Sequence, residues 1–174
     1  MERKDLAKAI LDVAHLTGEF LLRSGRTSNE YFDKYQFEAR PHLLDAIAEQ
    51  MIPHLPENFD LLGAMEMGGI PIATAIALKT EKEMVFIRKE AKEYGTCKFS
   101  EGPDIKGKKI CLIEDVITTG GQVVISTGML RDKEAIVENV VAVIDRSLGD
   151  HSKLQGAGLS LKALFTMDEL KSSH

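Results

Sequence analysis

Leu6, Ile10, Val13 and Leu16, with Ala9 beside them, recur at helical spacing, so residues 3–17 are expected to form an amphipathic helix. Residues 18–33 alternate only loosely and are interrupted by Ser24-Gly25, the pattern of a short, irregular β excursion. Pro41 opens the next helix, a position Pro suits because the first-turn N–H has no partner within the helix anyway. Leu44, Ile47, Ala48 and Met51 give that helix its buried face, and Pro53 stops it. Apolar strands then follow at 59–63, 84–87, 109–113 and 137–144, with helices at 69–79 and 121–131, and the tail repeats the scheme weakly with a helix at 149–156 and a strand at 160–164. A last helix begins near Thr166-Met167-Asp168. Strands that are apolar throughout and alternate with helices belong to a parallel sheet covered on both faces. The expected fold class is α/β: one domain over residues 1–174, with a central parallel sheet of roughly five strands flanked by helices.

Residues 88–108 break this rhythm, since they hold no apolar period, and a stretch of that length in a compact domain is either disordered or a mobile lid over a site. Composition narrows the classes. A hydrophobic share of 44% with 28% charged residues is that of a soluble globular chain, and the net charge of −5 provides no general attraction for nucleic acid or acidic lipid. Any anion must be captured by a local cluster. No apolar run reaches the roughly 20 residues of a membrane span, and the first residues read as a helix start and not as a signal peptide. Cys97 and Cys111 form no framework of pairs, so both are expected as reduced thiols, and the cytoplasm is the expected compartment.

The chemistry concentrates at 110–122. The apolar run Ile110-Cys111-Leu112-Ile113 leads directly into Glu114 and Asp115, then Val116-Ile117, then Thr118-Thr119-Gly120-Gly121-Gln122 as a helix opens. Backbone N–H groups at a glycine-rich helix start, helped by two threonine hydroxyls, form a cradle for a phosphate dianion. The glycines permit the close approach and left-handed backbone that such a nest needs. Two carboxylates beside it are acceptors suited to the two hydroxyls of a ribose. Helix capping alone accounts for one acid and one threonine, not for the whole run. Two other phosphate motifs fail. No G-x-G-x-x-G follows a strand, and the P-loop-like run from Gly102 to Lys109 has Lys where Ser or Thr is needed and precedes a strand.

Residues 113–122 resemble the phosphoribosyl-pyrophosphate signature of the type I phosphoribosyltransferases: an apolar strand, two acids, an apolar pair, then Thr-x-Gly. The similarity extends along nearly the whole chain to the orotate phosphoribosyltransferases. Arg88, Lys89, Lys92 and Gly95 match that family's catalytic loop, Arg-Lys-x-x-Lys-x-His-Gly, which reaches into the partner subunit's active site; Tyr94 stands where His is usual. A phenol can hydrogen-bond a phosphate oxygen but carries no positive charge near neutrality. The segment with Met67, Gly68 and Gly69 resembles the family's pyrophosphate loop, without the Lys that some members have. The N-terminal segment within 1–40, with Arg23 (Lys in many members), Tyr31 and Phe32, resembles the hood over the base, and the C-terminal end is a second candidate contributor.

The resemblance implies the type I phosphoribosyltransferase fold and a reaction between orotate and 5-phosphoribosyl 1-pyrophosphate (PRPP). The products would be orotidine 5′-phosphate and pyrophosphate, a step of de novo pyrimidine synthesis. It assigns Arg88, Lys89 and Lys92 to leaving-group stabilisation. The donor is assigned to those three with Tyr94, Met67, Gly68, Gly69 and every residue from Glu114 to Gln122 (Glu114, Asp115, Val116, Ile117, Thr118, Thr119, Gly120, Gly121 and Gln122). Orotate is assigned to Thr118, Arg146, Arg23, Tyr31 and Phe32. Magnesium is the expected cofactor, held mainly by substrate and water, with Glu114 and Asp115 as the nearest candidates on the protein. A homodimer with shared active sites follows from the family's loop; nucleic acid and membrane are not expected partners. The alternatives are a phosphoribosyltransferase for another nucleobase, and a regulatory protein of this fold that senses the donor.

Overall fold

The protein, described here from a computed structural model, is seen over residues 1–21, 25–90 and 99–173. Helix α1 (Arg3–Ala14) buries Leu6, Ala7, Ile10, Leu11 and Ala14. It ends three residues before the expected position, because His15 turns extended and strand β1 (His15–Leu21) pairs antiparallel with β2 (Thr27–Phe32). Leu16, which fitted the helical face, sits opposite Tyr31 in this hairpin. β-branched Thr17 and then Gly18 weaken a helix at that point, and cross-strand pairing decides the outcome. The expected β excursion is thus a two-stranded sheet, with a register shift between Thr17 and Phe20. A short helix, α2 (Tyr35–Glu38), which the pattern did not reveal, leads to α3 (Pro41–Met51).

The main sheet has the order β5-β4-β3-β6-β7-β8. Strands β3 (Leu61–Met65), β4 (Met84–Ile87), β6 (Lys109–Ile117), β7 (Ile136–Asp145) and β8 (Ser160–Thr166) are parallel, the five expected. A sixth, two-residue strand, β5 (Ser100–Glu101), joins β4 antiparallel at the edge. It lies inside the polar stretch, too short to leave a period. Such a stub also offers little edge for another chain to pair with.

Alternation along the strands splits the core into two layers. Cys111 and Ile113 of β6 pack with α1, α3 and α4 (Gly69–Thr80), whereas Ile110 and Leu112 pack with Val123 and Leu130 of α5 (Gly121–Arg131) and Leu154 of α6 (Ser152–Gly156). Burial pushes the Cys111 thiol up to about 12, the behaviour of an inert core cysteine; Cys97 lies outside the described residues. The final helix, α7 (Met167–Ser172), is closed at its start by a capping box between Thr166 and Glu169. None of the described helices is long and apolar enough to cross a membrane.

Candidate active site

Strand β6 runs four residues past its expected end, so Glu114 and Asp115 lie inside it rather than after it. The cause is its neighbour: β7 extends equally far, and the ladder continues through Val116–Ile144 and Ile117–Asp145 pairs. Val116 is therefore half-buried and Ile117 buried, so in the expected donor-binding run Ile117 has only its backbone to offer a ligand. The chain then turns through exposed Thr118 and Thr119 to Gly120, whose φ of 69° lies in the left-handed region. A Cβ there would also meet Leu154 Cδ2 at 2.8 Å, so conformation and packing both require glycine. No side chain caps the start of α5, and Thr119 Oγ1 lies 3.5 Å from the Gly121 N–H. The first-turn N–H groups of α5 are thus presented at the carboxyl edge of the sheet, as the sequence implied.

The segment after β3 meets the same edge. The Glu66–Met67 peptide is cis, Met67 is exposed, and Gly68 and Gly69 begin α4, again without a side-chain cap. Glu66 accepts a hydrogen bond from the Lys89 N–H, which ties this loop to the end of β4. Arg88 stands at that end, half-buried, with Nε 4.0 Å from Glu101 Oε1 and its N–H donating to Phe99 O. Lys89 is exposed. Lys92, Tyr94 and Gly95, and Arg23 of the hood, lie outside the described residues.

Arg146 follows β7, and its N–H donates to Ile117 O at 2.7 Å. Asp145 does not pair with Arg146. It accepts from the Ser147 N–H at 2.8 Å and lies 2.8 Å from His151 Nε2. Burial opposes its charge, but these hydrogen bonds outweigh that and hold its pKa below the ordinary carboxylate value. The Arg146 guanidinium lies 5.8 Å from the Phe32 ring centre, and Tyr31 stacks at a tilt on Phe20 at 5.5 Å. Two cavities share Arg146. One, of about 280 Å³, also has Thr118 and Thr119 in its wall; the other, about 350 Å³, is bounded by Tyr31, Phe32 and the C-terminal Met167 and Lys171. Thr118, Arg146 and the hood aromatics therefore converge, and the C-terminal helix does contribute to the hood side.

Two residues here had not been singled out. Lys34 forms an ion pair with Asp115, whose side chain is 1% exposed, and Glu38 is buried beside them. They escaped notice because α2 is a single turn with no period to mark a face. Burial works against the Lys34 charge, but the hydrogen bond and charge of Asp115, with Glu114, outweigh it and raise its pKa. Burial, reinforced by Asp115, raises Glu114 well above the usual carboxylate range. Burial and then repulsion from Asp115 push Glu38 up to about 8. Glu38 holds its proton more tightly in the fold than in the unfolded chain. The stability that goes with this is present below the ordinary carboxylate pKa and is lost as pH rises towards about 8. Glu38→Gln is expected to flatten that part of the stability curve; melting temperatures across this pH range check it, and an unchanged slope would contradict it.

The phosphoribosyl transferase domain family matches this chain over residues 35–153, which includes both glycine turns and the acidic pair. The orotate phosphoribosyltransferase of Nocardioides sp. is 49% identical over 168 residues, 97% of this chain and 94% of that protein. That of Methanopyrus kandleri is 34% identical over 172 residues, 98% of this chain and 93% of that one. The orotate phosphoribosyltransferase of Mycobacterium tuberculosis H37Rv, crystallised with Fe(III) dicitrate, superposes with a TM-score of 0.86 at 24% identity, covering 97% of this chain and 98% of that one; it attests the fold. With the domain match covering both glycine turns, the acidic pair and Arg146, and near-full-length identity of this order, the chain belongs to the phosphoribosyl transferase family, on its orotate phosphoribosyltransferase branch.

Proposed function

We propose that this protein transfers the 5-phosphoribosyl group of PRPP to N1 of orotate, forming orotidine 5′-phosphate and releasing pyrophosphate. The observation that carries this is the cavity where Thr118 and Arg146 meet beside the left-handed Gly120 turn. One wall is built for a phosphate, the other offers a planar guanidinium suited to a carboxylate. A purine carries no carboxylate to use that arginine.

In this reading the 5-phosphate sits on the N–H groups opening α5, and Glu114 and Asp115 accept the ribose hydroxyls. The pyrophosphate lies along Met67, Gly68 and Gly69, under Arg88, Lys89, Lys92 and Tyr94. Orotate lies between Arg146, Thr118 and the hood residues Arg23, Tyr31 and Phe32. The C1–O bond to pyrophosphate breaks as C1 gains oxocarbenium character, the basic residues absorb the departing charge, and N1 attacks from the opposite face. Orotate ionises at N1, so no protein base is needed. Closing the basic segment over the donor would exclude water as a rival nucleophile.

Among the described residues no three His, Cys, Asp or Glu side chains converge as ligands, and the Asp115 carboxylate is engaged by Lys34 and the Val116 N–H. In this reading magnesium would be held mainly by the pyrophosphate and water, with Glu114 and Asp115 as the nearest protein groups, and would offset charge on the leaving group. The active unit in this reading is a homodimer in the cytoplasm, the segment around Lys92 of one protomer serving its partner.

The test follows orotate absorbance with PRPP and magnesium. Loss of orotate with release of pyrophosphate is expected, and consumption of a purine in its place would overturn the base assignment. Arg146→Ala is expected to raise the KM for orotate by about a hundredfold, as befits loss of a charged hydrogen-bonding partner, while the KM for PRPP stays near its original value. A parallel rise in both would remove Arg146 from base recognition.

A further inference from the structure

Three segments of the site meet at one buried point. Lys34, the residue that opens α2, reaches Asp115 Oδ2 on β6. Glu38, at the end of α2, is 7% exposed, and its Oε1 has no hydrogen-bond partner among the described residues. Gly68 closes the group from above: a Cβ built on it would lie 1.5 Å from Asp115 Oδ2 and 2.9 Å from Glu38 Oε1. The pyrophosphate loop therefore rests directly on two carboxylates, and Lys34 is the cation paired with one of them.

We propose that Lys34 is a positioning residue for the transfer, with Glu38 as its counterpart: it fixes the Asp115 carboxylate and offsets the acidic floor beneath the pyrophosphate loop. This rests on the reading that the loop at Gly68, which Asp115 underlies, receives PRPP. A donor bearing several negative charges is being received over the buried Asp115 carboxylate, an arrangement that repels unless a positive charge is paired with it. Lys34 supplies it at Asp115. Removing one partner of a buried ion pair leaves the other uncompensated, here directly below the loop that receives the leaving group. Orotate, gripped at Arg146 and Thr118, should be largely indifferent to it.

The test is the split between substrates. Lys34→Met should weaken PRPP, read as KM and by calorimetry with PRPP, by about tenfold or more, the scale found when the partner orienting a ligand group is lost. The KM for orotate should hold. Lys34→Arg should keep most PRPP affinity because the charge remains. A purely structural role would instead lower the melting temperature and leave both KM values alone, which would overturn the proposal. So would an equal rise in both. If Lys34→Met does not fold, Lys34→Gln compared with Lys34→Arg decides: equal PRPP affinities overturn the proposal, a weaker glutamine variant supports it. A wild-type protein that does not turn over PRPP removes the proposed function and this inference together, whereas an active wild type with an indifferent Lys34→Met removes this inference alone.

Discussion

Lys92→Ala is expected to lower kcat by about a thousandfold, the upper range for removing one group that stabilises charge developing in a transition state. Lys92 lies outside the described residues, so the expectation rests on the run Arg88-Lys89-Glu90-Ala91-Lys92, which leaves the end of β4. Arg88 there is half-buried and near Glu101, and Lys89 gives its N–H to Glu66. Those two are partly committed to contacts within the described fold, and in the proposed reading Lys92 is the remaining cation of the run to follow a leaving group. The affinity for orotate should change far less than turnover. The melting temperature should hold too, because the surrounding sequence supplies no apolar period to a core. Single-turnover rates and thermal denaturation of the same preparation check both. Near-normal turnover would refute the role.

Gly69→Ala is expected to have the largest effect on stability. The added Cβ would lie 2.3 Å from the Ile113 carbonyl oxygen and 3.3 Å from Met65 Cβ. The first of these is backbone in a central strand paired on both sides, so it cannot yield as the end of a side chain can. Overpacking at such a point costs about 3 kcal/mol, and the relief available, movement of the start of α4, would displace Gly68 and the loop proposed to receive pyrophosphate. Urea unfolding should show the loss, and the KM for PRPP should rise with it. Gly128, within α5, is the internal contrast: a Cβ there meets nothing within 4 Å, so Gly128→Ala should be neutral or stabilise by up to about 1 kcal/mol through helix propensity. Equal behaviour of the two variants would remove the packing argument.

What could be read in advance follows a physical division. The central parallel strands were legible because they are largely apolar and flanked by helices, and the turn at Thr118–Gln122 because its hydroxyls and glycines stand between a strand and a helix. Three features were not. The end of α1 was set by pairing between residues far apart in sequence, His15 with Phe32, which a local period cannot report. Strand β6 outran its apolar stretch because β7 runs alongside Glu114 and beyond, so a ladder partner carried it through two acids. Lys34 and Glu38 looked like ordinary polar residues of a short connection. Their burial against Asp115 depends on how α2 folds back onto β6, and nothing in residues 33–40 encodes that on its own.

The long ladder between β6 and β7 also acts as a gauge. Asp115 and the Ile117 carbonyl that holds the Arg146 N–H belong to one strand, and Arg146 follows directly on its hydrogen-bonded neighbour, about 4.8 Å away. In the proposed reading, sugar seat and base anchor are therefore spaced by the sheet itself, not by the hairpin. Changes confined to the hairpin, at Tyr31 or Phe32, should alter how long a pyrimidine dwells without changing which of its nitrogens is aimed at the sugar. Regiochemistry in this protein would then be a property of strand register, conserved through any remodelling of the cover that leaves the ladder intact.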